Sequence, residues 1–396
     1  MHGIWSWISN ENRKYIVEII RRHLKSGGVV YNSYNCFPGW APAAPLRELL
    51  AVYDKFIGGN EINTSKRVDA ALKFAAELLA AKPIYAFRVP ELNAKLDQLK
   101  KQDHNYLAHE YLNRDWDCMY FSEVAELMST AKLDYACTAT PLDAIDQLNL
   151  SAAAQQFLNA IGNPIIREQA RDYFVNSQFR KDLYVRGARR LSAPERMKRL
   201  LNMRFVKMST APFPTKIATP AGETVLDGRL LNLLAEYLEE NDFQPKTFDE
   251  FVQQNNIPYP VVEQMLIMLV NNNAVMPCQS EETVNQVRSK CHALNDYICR
   301  RAETSQEIFT LASPVLGGGF NIGRFEQMMI SIFKRGLTTP EEIARAMWEN
   351  MKRRGEMLII PSKKLETPEE NLTELQRIAK NFVEKQLPIL RALQIV

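Results

Sequence analysis

The apolar residues near the start of the chain recur at helical spacing, and a stretch typical of a buried strand follows them. Between Ile16 and Leu24 these residues lie three or four positions apart, and Ser9 stands where a helix cap is expected. Residues 25–28 (KSGG) end this helix. Residues 29–34 (VVYNSY) then combine β-branched and aromatic side chains directly after a glycine turn, which predicts a buried strand.

A helix that leads into a buried strand is the second half of a β-α-β unit, so the pattern predicts a parallel sheet. The first strand of that unit would have to end near Met1, where almost no chain remains to form it. We therefore expect residues 29–34 to lie in the middle of a parallel sheet whose earlier strands this polypeptide does not encode.

Helical patterns dominate the next part of the chain. Residues 64–81, 91–102 and 119–131 each carry apolar side chains three and four positions apart. Two short stretches, 133–138 and 179–185, are the next candidates for strands. Alternation of apolar and polar residues in the second stretch indicates one solvated face.

A proline-rich stretch at 212–220 indicates a linker to a new domain. Three helical patterns follow between residues 225 and 271, and a short extended stretch covers 274–276. This order of elements is typical of a winged-helix module. The remainder is again helical, with interruptions at residues 317–319 (GGG) and at Pro361.

The composition is that of a soluble, globular protein. A chain of 396 residues is too long for one ordinary core, so two or three domains are expected. Its net charge of +3 creates no global field that would attract nucleic acid or an anionic membrane. No secretion signal and no long apolar run is present, so we expect a cytoplasmic protein without membrane contact. The six cysteines lack zinc-like spacing, so we expect free thiols and no metal site.

Three motifs in order along the chain resemble a known family. They are residues 2–7 (HGIWSW), residues 34–40 (YNCFPGW), and residues 109–113 (HEYLN) with Tyr120 and Phe121. Residues 311–317 (LASPVLG) resemble the C-terminal region of the same family. The chain thus resembles bacterial S-adenosylmethionine-dependent methyltransferases that carry a methyltransferase regulatory domain. That family includes protein-lysine methyltransferases acting on bacterial surface proteins, so the resemblance implies a protein substrate or a partner chain.

The resemblance implies an α+β, mostly helical fold. In the family the first motif follows the fourth strand of a Rossmann-like sheet, the second follows the fifth strand, and the third opens the regulatory domain. The expected domains are a C-terminal remnant of the Rossmann-like methyltransferase sheet (1–60), a helical connector (61–104), the helical regulatory domain (105–190), a winged-helix-like module (222–277) and a helical C-terminal domain (278–396).

The resemblance also implies S-adenosylmethionine as the cofactor of the family, and places candidate site residues at the carboxyl ends of strands. The residues expected to contact the cofactor are His2, Tyr34 and Asn35, and those expected to contact the substrate are Trp40, His109 and Tyr111. An alternative is that Tyr34 and Trp40 only pack the exit of the strand while Asn35 caps a turn. No catalytic residue can be assigned from the sequence.

One feature of the family is missing from the sequence. The glycine-rich candidates at 27–28, 58–59 and 317–319 do not follow a strand and open a helix, as the cofactor loop of the family does. We therefore expect the regulatory and substrate-recognition part of a protein methyltransferase, without cofactor binding by this chain alone. The alternatives are a non-catalytic adaptor that binds a partner protein, and a truncated start of a full protein-lysine methyltransferase. Whether the chain forms a homodimer is left open.

Two other sets of residues suggest different chemistry and are given a structural interpretation. His104 and His109 are five positions apart, which does not place both imidazoles on one helix face, so a metal site is not expected. Basic residues crowd the stretch 180–207, where Asp182 and Glu195 are the only acidic residues. We favour a solvated face or a docking surface over nucleic-acid binding, because the expected recognition helix of the winged-helix module carries no cation.

Overall fold

The computed structural model describes residues 1–58, 61, 63–219, 222–360 and 363–396. The chain divides into two compact units, residues 1–190 with 219–222 and residues 191–218 with 223–396. Gly59, Pro220 and Pro361, which enter the sequence-based interpretation, lie outside the described residues.

The first unit combines ten helices, as described, with three strands. In chain order these are α1 (Asn10–His23), β1 (Val29–Asn35), α2 (Ala44–Phe56), α3 (Thr64–Ala80), α4 (Ile84–Arg88), α5 (Leu92–Leu99), α6 (His104–Tyr111), α7 (Phe121–Ser129), β2 (Leu133–Thr138), α8 (Asp146–Asn149), α9 (Ala152–Asn159), α10 (Pro164–Val175) and β3 (Phe179–Arg186), with 3₁₀ helices at Trp5–Trp7 and Pro141–Ala144. The strands predicted at 29–34, 133–138 and 179–185 are thereby confirmed. The helices predicted at 64–81, 91–102 and 119–131 are confirmed as α3, α5 and α7.

The three strands form an antiparallel sheet in the order β1-β3-β2. Val29 lies opposite Val185 at one end of the β1-β3 ladder, and Asn35 lies opposite Phe179 at the other. The expected parallel sheet is therefore wrong for the strands that this chain supplies. The local pattern around β1 is that of a β-α-β unit, but its partner strand comes after nine further helices of this unit, and no local pattern reports such a distant pairing.

The outer edge of β1 carries the first residue of the chain. The amino group of Met1 donates to the carbonyl of Tyr31, and the N–H of Ser33 donates to the carbonyl of Met1 at 3.1 Å. These two bonds reach the residues on either side of Asn32, which is the pattern of a parallel contact. Met1 therefore lies parallel to β1 at the edge that faces away from β3.

Two large apolar cores stabilise the first unit, beside a small cluster of Leu150, Ala154 and Leu158. One lies on the sheet, where Trp5, Tyr34, Phe121, Met128 and Tyr184 are fully buried. The other joins α2, α3, α5 and α6 and includes Trp40 and Tyr111. The helices belong to these cores because their apolar residues recur on one face, and α1 begins at Asn10 because the side chain of Ser9 accepts a bond from the N–H of Asn12.

The second unit is helical with four small sheets in its described part. Its elements are α11 (Ala193–Asn202), β4 (Arg204–Lys207), β5 (Lys216–Thr219), β6 (Gly222–Val225), α12 (Gly228–Phe243), β7 (Lys246–Thr247), α13 (Asp249–Asn255), α14 (Tyr259–Asn271), β8 (Val275–Pro277), α15 (Glu281–Arg301), β9 (Thr310–Ser313), β10 (Gly318–Asn321), α16 (Arg324–Lys334), α17 (Pro340–Arg353), β11 (Ile359–Ile360), β12 (Lys363–Lys364), α18 (Pro368–Asn381) and α19 (Leu387–Ala392). A π-helical turn, Phe382–Gln386, joins the last two helices.

The segment expected to resemble a winged helix contains α12, α13, α14 and β8 in the predicted order. Strand β4 lies at the centre of its three-stranded antiparallel sheet, between β7 and β8. Leu234, Phe248, Phe251 and Leu266 pack with Phe205 of β4 in a shared core. The helices and the extended stretch are confirmed, and the winged-helix assignment itself stays a prediction.

No helix in the described part of the chain is both long enough and apolar enough to cross a membrane.

Candidate functional site

The carboxyl end of β1 is where the three motifs meet. The N–H of Met119 donates to the carbonyl of Asn35 at 3.2 Å, and the N–H of Phe37 donates to the carbonyl of Met119 at 3.2 Å. These bonds hold the segment after α6 against the strand exit. The first motif meets Asn35 at the same edge of the strand, where the Asn35 N–H donates to the hydroxyl of Ser6 at 2.8 Å.

Glu110 is the acidic group at this junction. The side-chain amide of Asn35 donates to Glu110 Oε1 at 2.7 Å, and the indole N–H of Trp116 donates to the same oxygen at 3.4 Å. Asn35 and Glu110 are both buried. The amide and the carboxylate therefore satisfy each other, and the arrangement holds the second motif to the third.

The other expected cofactor residues do not join Asn35. His2 is exposed, and its Nδ1 lies 2.9 Å from the hydroxyl of Tyr31 and 3.2 Å from that of Ser33, along the outer edge of β1. Tyr34 is fully buried in the sheet core, where its hydroxyl donates to Asp182 at 2.7 Å. Since neighbouring residues of a strand face opposite sides of the sheet, Tyr34 and Asn35 point apart.

The expected substrate residues are mainly packed in this structure. Trp40 and Tyr111 are buried, and their rings lie 6.1 Å apart in the core of the helical region. His109 stacks on Trp7 with the ring centroids 5.3 Å apart. These contacts support the packing alternative for Trp40, and they show that the first motif also contacts the third through the Trp7–His109 pair.

Gly39 of the second motif allows a close approach between two backbones. Its N–H donates to the carbonyl of Ser177 at 2.9 Å. A Cβ atom at this position would lie 2.6 Å from the Ser177 oxygen and 2.7 Å from the Asn176 oxygen, nearer than side chains approach backbone atoms. The site therefore requires glycine, because both neighbours are backbone atoms that cannot turn away.

A buried ionic cluster lies beneath the strand exit, and sequence reasoning missed it. Arg180 of β3 contacts Asp172 at 2.6 Å, Glu168 at 2.8 Å and Asp182 at 3.0 Å. Its guanidinium also lies 4.4 Å from the centre of the Phe121 ring. Burial raises the pKa of Asp172 to about 6, and it raises the pKa of Asp182 as well, although Arg180 opposes both shifts. The only sequence signal was the alternation of charged and apolar residues along 179–185.

Neither a nucleophilic thiol nor a metal centre is found near this junction in the described residues. Burial raises the pKa of Cys36 and of Cys118 well above the usual range for a thiol, so both are protonated at neutral pH. Within the described ranges, no group of three histidine, cysteine or acidic side chains is placed to hold a metal ion. His104 instead contacts Ser65 and lies 3.4 Å from Asp69.

The basic stretch 180–207 is used for contacts inside each unit. Arg186 donates to the carbonyls of Arg21 and Leu24, which fastens β3 to the end of α1. In the second unit Arg204 pairs with Glu281 at 2.6 Å, and the buried Lys207 pairs with Glu239. Other basic residues of the stretch, among them Lys181, Arg190, Lys198 and Arg199, are exposed, so only part of it is engaged in these contacts.

Comparison with known proteins connects this architecture to a family. Residues 103–186 match the model of the predicted methyltransferase regulatory domain. The domain bounds expected from the sequence, 105–190, stay a prediction. The whole chain is 34% identical over 400 residues to the uncharacterized protein sll1526 of Synechocystis, and covers 77% of that protein. A shorter match, 26% identical over 183 residues, covers 46% of this chain and 32% of protein RP789 of Rickettsia prowazekii.

Solved structures share the fold over almost the whole chain. PKMT2 from Rickettsia typhi in complex with AdoHcy matches with a TM-score of 0.67 at 17% identity, covering 99% of this chain and 79% of that chain. A second structure of PKMT2 matches with a TM-score of 0.61.

The fold and the regulatory domain define a methyltransferase-like protein, which confirms the resemblance carried by the three motifs. The chain belongs to the family of methyltransferase-like proteins with this regulatory domain, together with sll1526 of Synechocystis.

Proposed function

We propose that this chain is the regulatory and substrate-recognition part of an S-adenosylmethionine-dependent protein methyltransferase, and that it does not bind the cofactor by itself. The observation that carries the proposal is the open outer edge of β1. The cofactor of such enzymes lies at the carboxyl ends of several neighbouring strands, and one strand supplies only one wall of that site.

The register of the sheet shows which backbone groups of β1 face outward. The backbone N–H of Cys36 donates to the carbonyl of Gln178, and that of Arg186 donates to the carbonyl of Gly28. The even-numbered residues of β1 therefore form the backbone bonds to β3. Odd-numbered residues therefore face the opposite edge. There the N–H groups of Val29 and Tyr31 meet no acceptor among the described residues. The outer edge is thus only partly paired beside the amino-terminal half of β1, where the Tyr31 carbonyl accepts from Met1 but these two N–H groups have no partner among the described residues.

The surface beside this edge is unsuited to the cofactor. A cavity of about 350 Å³ lies there, lined by Met1, Val29, Tyr31 and three isoleucines of α1, and no charged side chain lines it. S-adenosylmethionine carries an ammonium and a carboxylate, which need charged or polar partners when they are removed from water. At the carboxyl end of β1, the Asn35 amide is already bonded to Glu110. The residues present do not fit the cofactor.

Two glycine-rich segments support the same conclusion. Gly27 and Gly28 lie between α1 and β1, and Gly317–Gly319 lie in the hairpin between β9 and β10. Neither group stands between a strand and a following helix, where a cofactor loop would be formed. PKMT2, whose structure holds AdoHcy, also has about a fifth of its chain outside the match.

Titration calorimetry with S-adenosylmethionine tests the proposal. We expect no saturable heat when the cofactor is raised to about 1 mM. Any remaining affinity would then have a dissociation constant above that value, which corresponds to less than about 4 kcal/mol of binding energy. PKMT2 from Rickettsia typhi, whose structure holds AdoHcy, is the positive control and is expected to give saturable heat. Saturable micromolar binding by this chain alone would show that the proposal is wrong.

The open edge also favours a second candidate, a non-catalytic adaptor whose β1 pairs with a strand of a partner protein. Unpaired N–H and C=O groups at a sheet edge are a ready surface for such pairing. Ile19 and Val29 are more than half exposed beside that edge and would add apolar contacts. A purified chain that associates with neither itself nor any methyltransferase subunit would argue against this candidate.

A further inference from the structure

A cavity of about 540 Å³ opens in the second unit between the last helical segment, strand β10 and residues 208–212. Its volume lies within the range of ligand-binding clefts. Its lining combines apolar residues, among them Phe320, Ile322 and Ile389, with polar and charged residues. The cavity is separate from the strand exit of β1, which belongs to the first unit.

One wall is the π-helical turn, whose origin is visible in the sequence. Pro388 follows within a continuous helical run, and it has no N–H to donate to the carbonyl four residues earlier. The helix widens there, and the N–H of Leu387 donates to Phe382, five residues back. Such turns inside helices are frequent at functional sites. Asn381, Lys385 and Gln386 stand on the cavity side of this wall.

Gln386 presents an unused hydrogen-bonding group. Its Oε1 atom is buried and has no donor among the described residues. An unpaired buried acceptor is destabilising, so a group that supplies a donor would be stabilised there. Asn381 places a second carboxamide around the same cavity, and Asn321 places a third, whose oxygen accepts from the hydroxyl of Thr310 at 3.0 Å. Side-chain amides offer both a donor and an acceptor, which is what the peptide group of a polypeptide backbone requires.

The opposite wall includes a free strand edge. The backbone N–H of Ile322 donates to the carbonyl of Phe309, so the even-numbered residues of β10 form the backbone bonds to β9. The backbone groups of Gly319 and Asn321 therefore face the opposite edge. Asn321 lines the cavity. An extended segment lying in the cavity can therefore add to this edge through backbone bonds, a common mode of peptide recognition.

Two charged groups are also available. Glu326 and Lys385 line the cavity, and neither forms an ion pair with another described residue. One carboxylate and one ammonium on the rim suit a segment that carries both signs of charge, and they disfavour a strongly acidic or strongly basic ligand.

We propose that this cavity is a groove that binds an extended polypeptide segment with an apolar side chain seated over Phe320 and Ile389. The inference rests on the proposed substrate-recognition function, and it names the chemistry that is recognised: backbone amides and one apolar anchor. The bound segment adds to the edge of β10 and donates a backbone N–H to Gln386.

The experiment selects binding peptides from a random twelve-residue display library against the full chain, and measures their affinities by fluorescence polarisation. We expect micromolar binders. Gln386→Ala removes the buried acceptor, and Asn321→Pro removes the outward N–H of β10. Each is expected to weaken binding about tenfold, the equivalent of about 1.4 kcal/mol. Lys380→Ala, on α18 beside the groove but not lining it, is the matched control and is expected to leave binding unchanged.

Peptides whose affinities are unaffected by both groove substitutions, or a selection that yields no binder, would overturn the inference. Thermal unfolding of each variant verifies that the loss of binding is not a loss of folding. Gln386→Ala is expected to fold, because it removes an unpaired polar atom and alanine favours helix. A failure to find peptide binding would not change the result of the cofactor titration. The proposed groove and the proposed lack of cofactor binding can therefore fail separately.

Discussion

Replacement of Arg180 by methionine is expected to lower the free energy of unfolding of the first unit by about 3–5 kcal/mol. Arg180 is buried and contacts three carboxylates, those of Glu168, Asp172 and Asp182. Methionine retains the packing against Phe121 but removes the positive charge. Two buried carboxylates and the partly buried Glu168 would then face one another without the cation that now bonds to each of them.

The pH dependence of this effect follows from the carboxyl groups. The pKa of Asp172 is already raised to about 6 by burial, and removal of Arg180 raises it further. A carboxyl whose folded pKa lies above its unfolded value binds a proton preferentially in the folded state, so stability falls as the pH rises from about 4 to about 6. The deficit of Arg180→Met is therefore expected to be smaller at pH 5 than at pH 8.

Urea unfolding followed by circular dichroism measures both effects. Lys181→Met is the matched control, because it removes a neighbouring cation of β3 whose side chain is exposed, and it is expected to change stability by less than about 0.5 kcal/mol. Equal stability of Arg180→Met and Lys181→Met would mean that the ionic cluster does not stabilise the sheet.

Substitution of Gly39 by alanine is expected to cost about 3 kcal/mol or more, which is the upper part of the range for overpacked sites. The new methyl group would lie 2.6 Å from the carbonyl oxygen of Ser177. The turn after β1 would have to move away from the segment before β3, and the bond from the Gly39 N–H to Ser177 would be lost. The junction at the carboxyl end of β1 would open.

Gly162→Ala is the comparison for this prediction. A Cβ atom at Gly162 meets no atom within 4 Å, and its backbone is not in the left-handed region, so alanine is expected to be neutral or slightly stabilising. Chemical denaturation of the two variants gives the difference directly. A Gly39→Ala protein as stable as Gly162→Ala would disprove the close approach.

Local patterns were sufficient to locate the strands of the first unit. β1 follows a glycine turn and is rich in β-branched and aromatic residues, and β2 was predicted with the bounds that the structure shows. The partner of β1 was not predictable in the same way. The residues that set it, from Phe179 to Arg186, interact with β1 across the intervening helices, and their own alternation reports only a half-buried strand.

The candidate site was predicted in part. The three motifs do meet, through Asn35, Glu110, Ser6 and the Trp7–His109 stack. Their sequence indicated a common location but not how the side chains divide between the two faces of β1. Tyr34 faces the ionic cluster, and Arg180 was interpreted as one residue of a basic surface because a single sequence gives no sign that three carboxylates surround it.

The most direct test concerns the outer edge of β1, where the described residues leave the N–H groups of Val29 and Tyr31 without an acceptor. Hydrogen–deuterium exchange resolved to single residues by NMR tests it within one strand. The amides of Val30 and Asn32, which face β3, are expected to exchange slowly, and those of Val29 and Tyr31 to exchange at least about a hundredfold faster, since only the former must open a ladder bond. Equal protection of all four amides would contradict the claim, because it would mean that another strand of this chain already covers the edge.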